Sequence, residues 1–152
     1  MYGAVLAIHS WLRWAALLLG AAATLAAIGD RADATERSLA GRLAMVLMLA
    51  VDLQVLFGLM LYFGLSPLTK EALNNVGGAI HNGVLRFWAM EHLGAMTAAV
   101  TLVHVGRVLA LTATTRRSRQ TRRAICFGAA VLLMIAASPW PGMANGRPLF
   151  RI

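Results

Sequence analysis

The chain has 152 residues, of which 59% are apolar and only 13% charged, about half the charged share of an ordinary soluble domain (~25%). The length suits one domain, and the composition argues against a water-soluble globule and for a protein dissolved in lipid. A formal charge of +8 would suggest nucleic acid in a soluble chain, but here the cations flank apolar runs, so no nucleic-acid partner is expected.

The single cysteine, Cys126, excludes an internal disulfide, and the chain has neither CxxC nor CxxCH. Covalent c-type haem attachment is thereby excluded, and a cysteine-rich zinc site has no ligands. No P-loop, HExxH or Ser/His/Asp set points to hydrolysis.

The first apolar run predicts a helix over 5–28. No basic segment precedes it and no cleavage pattern follows, so it reads as a retained helix rather than a signal peptide. A linker from Asp30 to Gly41 carries Arg31 and Arg37, with Arg42 just beyond. The second run, 43–65, is closed by Ser66-Pro67, where proline disfavours helix in the residue before it. The polar stretch 66–86 suggests a short interfacial helix over 69–76 and then a glycine-rich turn through Gly77 and Gly78. The third helix is expected over 88–111, inside a stretch that begins at Arg86 and holds Glu91, His92 and His104. The linker 112–123 contains Arg116, Arg117, Arg119, Arg122 and Arg123, and the fourth and shortest helix is expected over 124–138. The tail from Gly142 reads as irregular.

Cation bias sets an expected orientation. The two linkers hold eight cations, Arg31, Arg37, Arg42 and the five-arginine cluster, against four on the other side, Lys70, Arg86, Arg147 and Arg151. The expectation is an all-α, up-down-up-down four-helix bundle in the bacterial cytoplasmic membrane, with both termini periplasmic. Trp11, Trp14, Trp88 and Trp140 all fall toward that outer side, as an aromatic belt would.

Depth then makes the ionisable residues informative. An acid or base at a helix centre in hydrocarbon costs at least ~2.5–3.5 kcal/mol, so each needs a reason to be there. His9 and His92 both lie ~6 Å below the outer interface, counting ~1.5 Å per residue. Two imidazoles at one level on different helices can hold a flat metal macrocycle between them. Arg13 shares a face with His9 and lies near enough in depth to Asp52 for a buried ion pair; Glu91 or a haem propionate are its other candidate partners. Gln54 sits near the middle of the second helix and could meet a quinone. His104 is twelve residues from His92, which turns it ~120° away, so it cannot join the pair. His81 falls in the outer loop with no assigned role. Glu91 beside Arg86 also fits a simple headgroup-level pairing. Gly94-x-x-x-Ala98 is a small-xxx-small contact that permits close helix approach, and Gly20 and Gly58 read the same way.

Several segments occur together: His9-Ser-Trp-Leu-Arg13-Trp14, Gln54-x-x-x-Gly58-Leu-x-Leu-Tyr62-Phe, Arg86-Phe-Trp-x-x-Glu91-His92 with Gly106-Arg107, and Pro139-Trp140-Pro with Arg147-Pro-Leu-Phe. In these the chain resembles small four-helix bacterial membrane proteins labelled "cytochrome B". More distantly it is similar to b561-like and copper-resistance-D-like membrane families. The resemblance implies haem b held by His9 and His92, with Arg13 and Glu91 around them. The second helix-histidine pair of di-haem relatives is missing here. The implied function is single-electron transfer between a periplasmic partner and the quinone pool. A homodimer or a place in a larger complex is compatible with the pattern. The rival expectation is a cofactor-free accessory subunit, or a proton or small-solute conduit, whose polar core fixes packing.

Overall fold

The computed structural model describes residues 1–29 and 38–150; the expected linker with Arg31 and Arg37 lies outside the described residues, apart from its end at Ser38–Gly41. The described chain is all helix and turn. α1 is Tyr2–Gly29 and α2 is Leu39–Leu59, which continues as a π-helical turn, Met60–Leu65. Three short helices follow: α3 (Pro67–Asn74), α4 (Val76–His81) and α5 (Gly83–Arg86). A second π turn, Phe87–Glu91, leads directly into α6 (His92–Leu111), and α7 is Arg116–Ala136.

Three of these stretches, Tyr2–Gly29, Leu39–Leu65 and Gly83–Leu111, are long and apolar enough to cross a membrane. Their outward faces carry the residues a water-soluble protein would bury. Leu18 and Leu25 are each 69% exposed, as is Leu132 on α7, which suits hydrocarbon rather than water as the solvent.

The inward faces follow one rule. Each long helix buries a stripe spaced four, three and four residues apart: Ala16, Gly20, Ala23 and Ala27 on α1; Ala40, Ala44, Leu47 and Val51 on α2; Ala99, Val103, Gly106 and Ala110 on α6; Arg123, Phe127, Ala130 and Met134 on α7. Most of these side chains are small. Lipid offers no hydrophobic drive for helix association, so close backbone approach and dispersion must supply it. α7 packs closely on both α1 and α6, and α1 packs on α2, whereas α2 and α6 meet more sparsely. A Cβ on Gly20 would lie 2.6 Å from Val131 Cγ2, and one on Gly106 would lie 2.5 Å from Cys126 Cβ. Phe127 fills the centre, fully buried among Leu47, Val103 and Ala130.

Two expectations are corrected. The five-arginine segment is not a linker throughout, because α7 starts at Arg116, with the Thr115 hydroxyl accepting from the Ser118 N–H as its N-cap. Arg119 donates to the carbonyls of Ala110 and Ala113, and Arg122 to that of Leu109, so the cations close the carbonyl end of α6. Nor is the glycine-rich segment a turn. It is the helix α4, capped by Asn75, whose amide side chain sits where a Cβ on Gly78 would fall, 2.7 Å away.

Gly106→Ala is expected to destabilise the protein by about 1–3 kcal/mol, because the Cys126 Cβ cannot swing aside as a flexible side-chain end could. Gly64→Ala, with nothing within 4 Å of the added Cβ, should stay within about 0.5 kcal/mol of the wild type. Unfolding midpoints in detergent, followed by far-ultraviolet circular dichroism, check both.

Candidate functional site

The two π turns lie against each other. The Tyr62 hydroxyl in the first donates to the Ala89 carbonyl in the second at 2.9 Å, and the Thr69 hydroxyl of α3 donates back to the Tyr62 carbonyl at 2.7 Å. A π turn holds one more residue than an α turn, so it resets the phase of the helix that follows. His92 is the first residue of α6 after such a turn.

This brings His92 to His9. Their ring centres are 6.5 Å apart and their planes 69° from parallel. His9 comes from α1 and His92 from α6, two helices with little direct packing between them. The imidazoles therefore reach across a gap that the small-residue stripes have closed elsewhere. Gly58 makes the room on α2, since a Cβ there would lie 3.1 Å from His9 Cε1. A cavity of about 150 Å³ adjoins the pair, with His9, Arg13, Gln54, Tyr62, Trp88 and His92 in its wall.

The hydrogen bonds fix what each ring can do. His92 Nδ1 is 2.8 Å from the Ala137 carbonyl oxygen. A carbonyl only accepts, so Nδ1 carries the proton and, in the neutral ring, Nε2 keeps the lone pair. Phe87 and Trp88 flank the ring, with centres 5.8 and 5.5 Å away. His9 Nε2 lies 3.2 Å from the Gln54 amide nitrogen, which leaves Gln54 Oε1 and His9 Nδ1 buried with no hydrogen-bond partner. Turning the amide over lets Oε1 accept the Nε2 proton, and Nδ1 becomes the bare nitrogen. That arrangement removes the need for an acceptor at a buried N–H, and it leaves a buried lone pair of the kind that suits a metal.

Of the residues singled out in the sequence, His9, His92, Arg13 and Gln54 meet at this site and Glu91 does not. Glu91 pairs with Arg86 at 2.7 Å on a half-exposed surface, the headgroup-level alternative. The expected Arg13–Asp52 pair is also replaced. Asp52 Oδ1 is 2.8 Å from His104 Nε2, whereas an Arg13 amino group donates to the Leu149 carbonyl. Arg13 lies close enough to the N-terminal end of α1 for the returning tail to reach it first.

The tail was the part least visible in the sequence. It has no regular structure but it is docked. Gly142 takes φ +89° and starts the reversal, and the Arg147 N–H donates to the Pro139 carbonyl. Leu149 accepts from both Arg13 and Trp14 Nε1 at 2.9 Å. Phe150 stacks on Trp14, and the Arg147 guanidinium lies 5.1 Å from the centre of the Trp88 ring. All four expected belt tryptophans thus have partners in the protein, Trp11 against Phe150 and Trp140 through Nε1 to the Ile135 carbonyl, with Trp11 the most exposed. The residues missed were Arg147, Trp88 and the Ala137 carbonyl. Only the recurrence of Arg147-Pro-Leu-Phe among the quoted segments could have signalled the first.

These features define an all-α protein with three helices able to cross a membrane and a histidine pair beside an internal cavity. No protein family, no curated protein and no solved structure matches the chain.

Removing the Arg13 and Trp14 donors together, as Arg13→Gln with Trp14→Phe, should release the tail. Two hydrogen bonds of ~1 kcal/mol each correspond to a rise in the open fraction of roughly thirtyfold. Chymotryptic cleavage after Phe150, read by mass spectrometry, should quicken by a similar factor, whereas an unchanged rate would show that the tail is held by other contacts.

Proposed function

We propose that the chain is a b-type cytochrome of the bacterial cytoplasmic membrane, with one haem held between His9 and His92 near the periplasmic face. In this reading α1, α2, α6 and α7 form the up-down-up-down bundle, with both termini periplasmic and the arginine-rich end in the cytoplasm. The apolar part of α7, thirteen residues from Ala124 to Ala136, reaches only ~20 Å. It spans by borrowing the long arginine side chains that precede it.

One observation carries the reading: the proton of His92 Nδ1 is fixed on the Ala137 carbonyl, leaving a lone-pair nitrogen in a ring 6.5 Å from a second neutral imidazole. Metal-ligating histidines characteristically make this bond with the nitrogen that does not ligate. Two imidazoles on opposite sides of one metal, with metal–nitrogen bonds of ~2 Å, hold their ring centres ~6 Å apart. The orphaned Nδ1 of His9 fits the same need. Among the described residues no third histidine, cysteine or carboxylate joins them, which favours a macrocycle supplying the remaining ligands over a bare ion.

When bound, haem supplies a one-electron iron couple. The chain's part is to hold the two rings, to keep water out with Leu6, Leu93 and Met96 in the cavity wall, and to place the cations Arg13 and Arg147 beside it. A guanidinium suits a haem propionate, one of the candidate partners the sequence offered for Arg13. Electron exchange with the quinone pool and a periplasmic partner completes the reading.

Protein expressed with ample haem should show a Soret band and a sharp α band on reduction. His92→Ala and His9→Ala should each lose both bands while size-exclusion profile and helicity stay unchanged. Colourless wild-type protein would overturn the proposal. Gly58→Ala presses on His9, its added Cβ 3.1 Å from Cε1 and 3.7 Å from Nδ1, so it should keep the bands but lower haem occupancy.

A further inference from the structure

Asp52 is the midpoint of the apolar stretch Leu39–Leu65, thirteen residues from either end. At ~1.5 Å per residue this is ~20 Å from each end, far beyond what a two-carbon side chain can span by snorkelling. Among the described residues its hydrogen-bond partner is His104 on α6, and the pair is not inside the protein: the two side chains are 48% and 42% exposed. A hydrogen-bonded acid–base pair left half-open to hydrocarbon is a poor arrangement, because a carboxylate has more lone pairs than one imidazole N–H can satisfy.

The surface around the pair is built for close approach. On α6 it continues through Gly94, Ala98, Thr101, Val105 and Val108, all on one face. Nothing lies within 4 Å of a Cβ placed on Gly94, so this small-residue stretch serves no contact within the chain. The hydroxyls of Thr97 and Thr101 bond back to the carbonyls of Leu93 and Thr97, which leaves their methyl groups outward. On α2 the flanking residues are Leu49 and Leu56.

We propose that this α2/α6 face is where a second copy of the chain packs. The charge pattern selects the occupant. A two-fold axis along the membrane normal sets residues of equal depth opposite each other. The carboxylate of Asp52 in one copy then faces the imidazole of His104 in the other, and the same contact is made twice. Each carboxylate then has a second imidazole beside it, and each pair is removed from lipid. A partner lacking the same acid–base pair at the same depth would leave both groups open. This inference does not depend on the haem reading.

The test uses the full chain in membranes with Cys126→Ser as background. Thr101→Cys should cross-link to dimer under mild oxidation, whereas Leu18→Cys, exposed on α1, should not. Gly94→Leu combined with Thr101→Cys should lose the cross-link, and Asp52→Asn should weaken it. Far-ultraviolet circular dichroism and size-exclusion profiles of the same variants report folding separately. Absence of the Thr101→Cys dimer, equal cross-linking from Leu18→Cys, or a different protein occupying the face would each overturn the proposal.

Discussion

The distance between helix backbones governs everything else in this protein. α6 and α7 touch at Gly106 and Cys126, and α1 and α7 touch at Gly20 and Val131, with no room for a further methyl group at either place. In lipid such contacts have to do what the hydrophobic effect does in water, since apolar side chains gain nothing by leaving one hydrocarbon for another. The small-residue stripes are therefore the adhesive. They also set the negative image: wherever the stripe is interrupted by a large polar side chain, a space must open. His9, Arg13 and Gln54 interrupt it at one end, and the cavity is there.

The π turns belong to the same logic. An uninterrupted α-helix through Phe87–Glu91 would present a different residue inward at the level of His9. One extra residue per turn puts His92 there instead, and the Tyr62 hydroxyl holds that turn through its bond to the Ala89 carbonyl. The short helices α3 to α5 complete this end. Ser66, Asn75 and Asn82 each cap the next helix with a side-chain oxygen, so the connection stays compact and every helix start is satisfied. A rigid rim is what a fixed pair of imidazoles requires.

The long apolar helices could be read from the chain with errors of a few residues, because composition and run length alone decide them. The meeting of His9 and His92 was also legible, since equal depth on two helices is a matter of counting. Partner choice was not. Arg13 and Asp52 are at similar depth, but depth says nothing about azimuth, and the π turns and the tail are both invisible to a count of 1.5 Å per residue. The start of α7 was misjudged for a different reason. A run of arginines looks like a solvated linker until a helix end with open carbonyls is placed beside it, and only the fold supplies that neighbour. The tail's docking depends on two side-chain donors 136 and 135 residues away, a separation no local pattern can encode.

The two histidine sites within the spans solve one problem in opposite ways. At His92 the ring nitrogen is satisfied by a backbone carbonyl released at the end of α7, so the polar group is closed off by the chain itself and the second nitrogen is left for use. At His104 the partner is a side chain with charge of its own, and the pair lies on the outside of the helices. A backbone carbonyl carries no net charge, so it orients the His92 ring without adding a charge to the cavity wall. A carboxylate beside His104 brings a charge and further lone pairs to the surface of the helices, and that is the difference between the two sites.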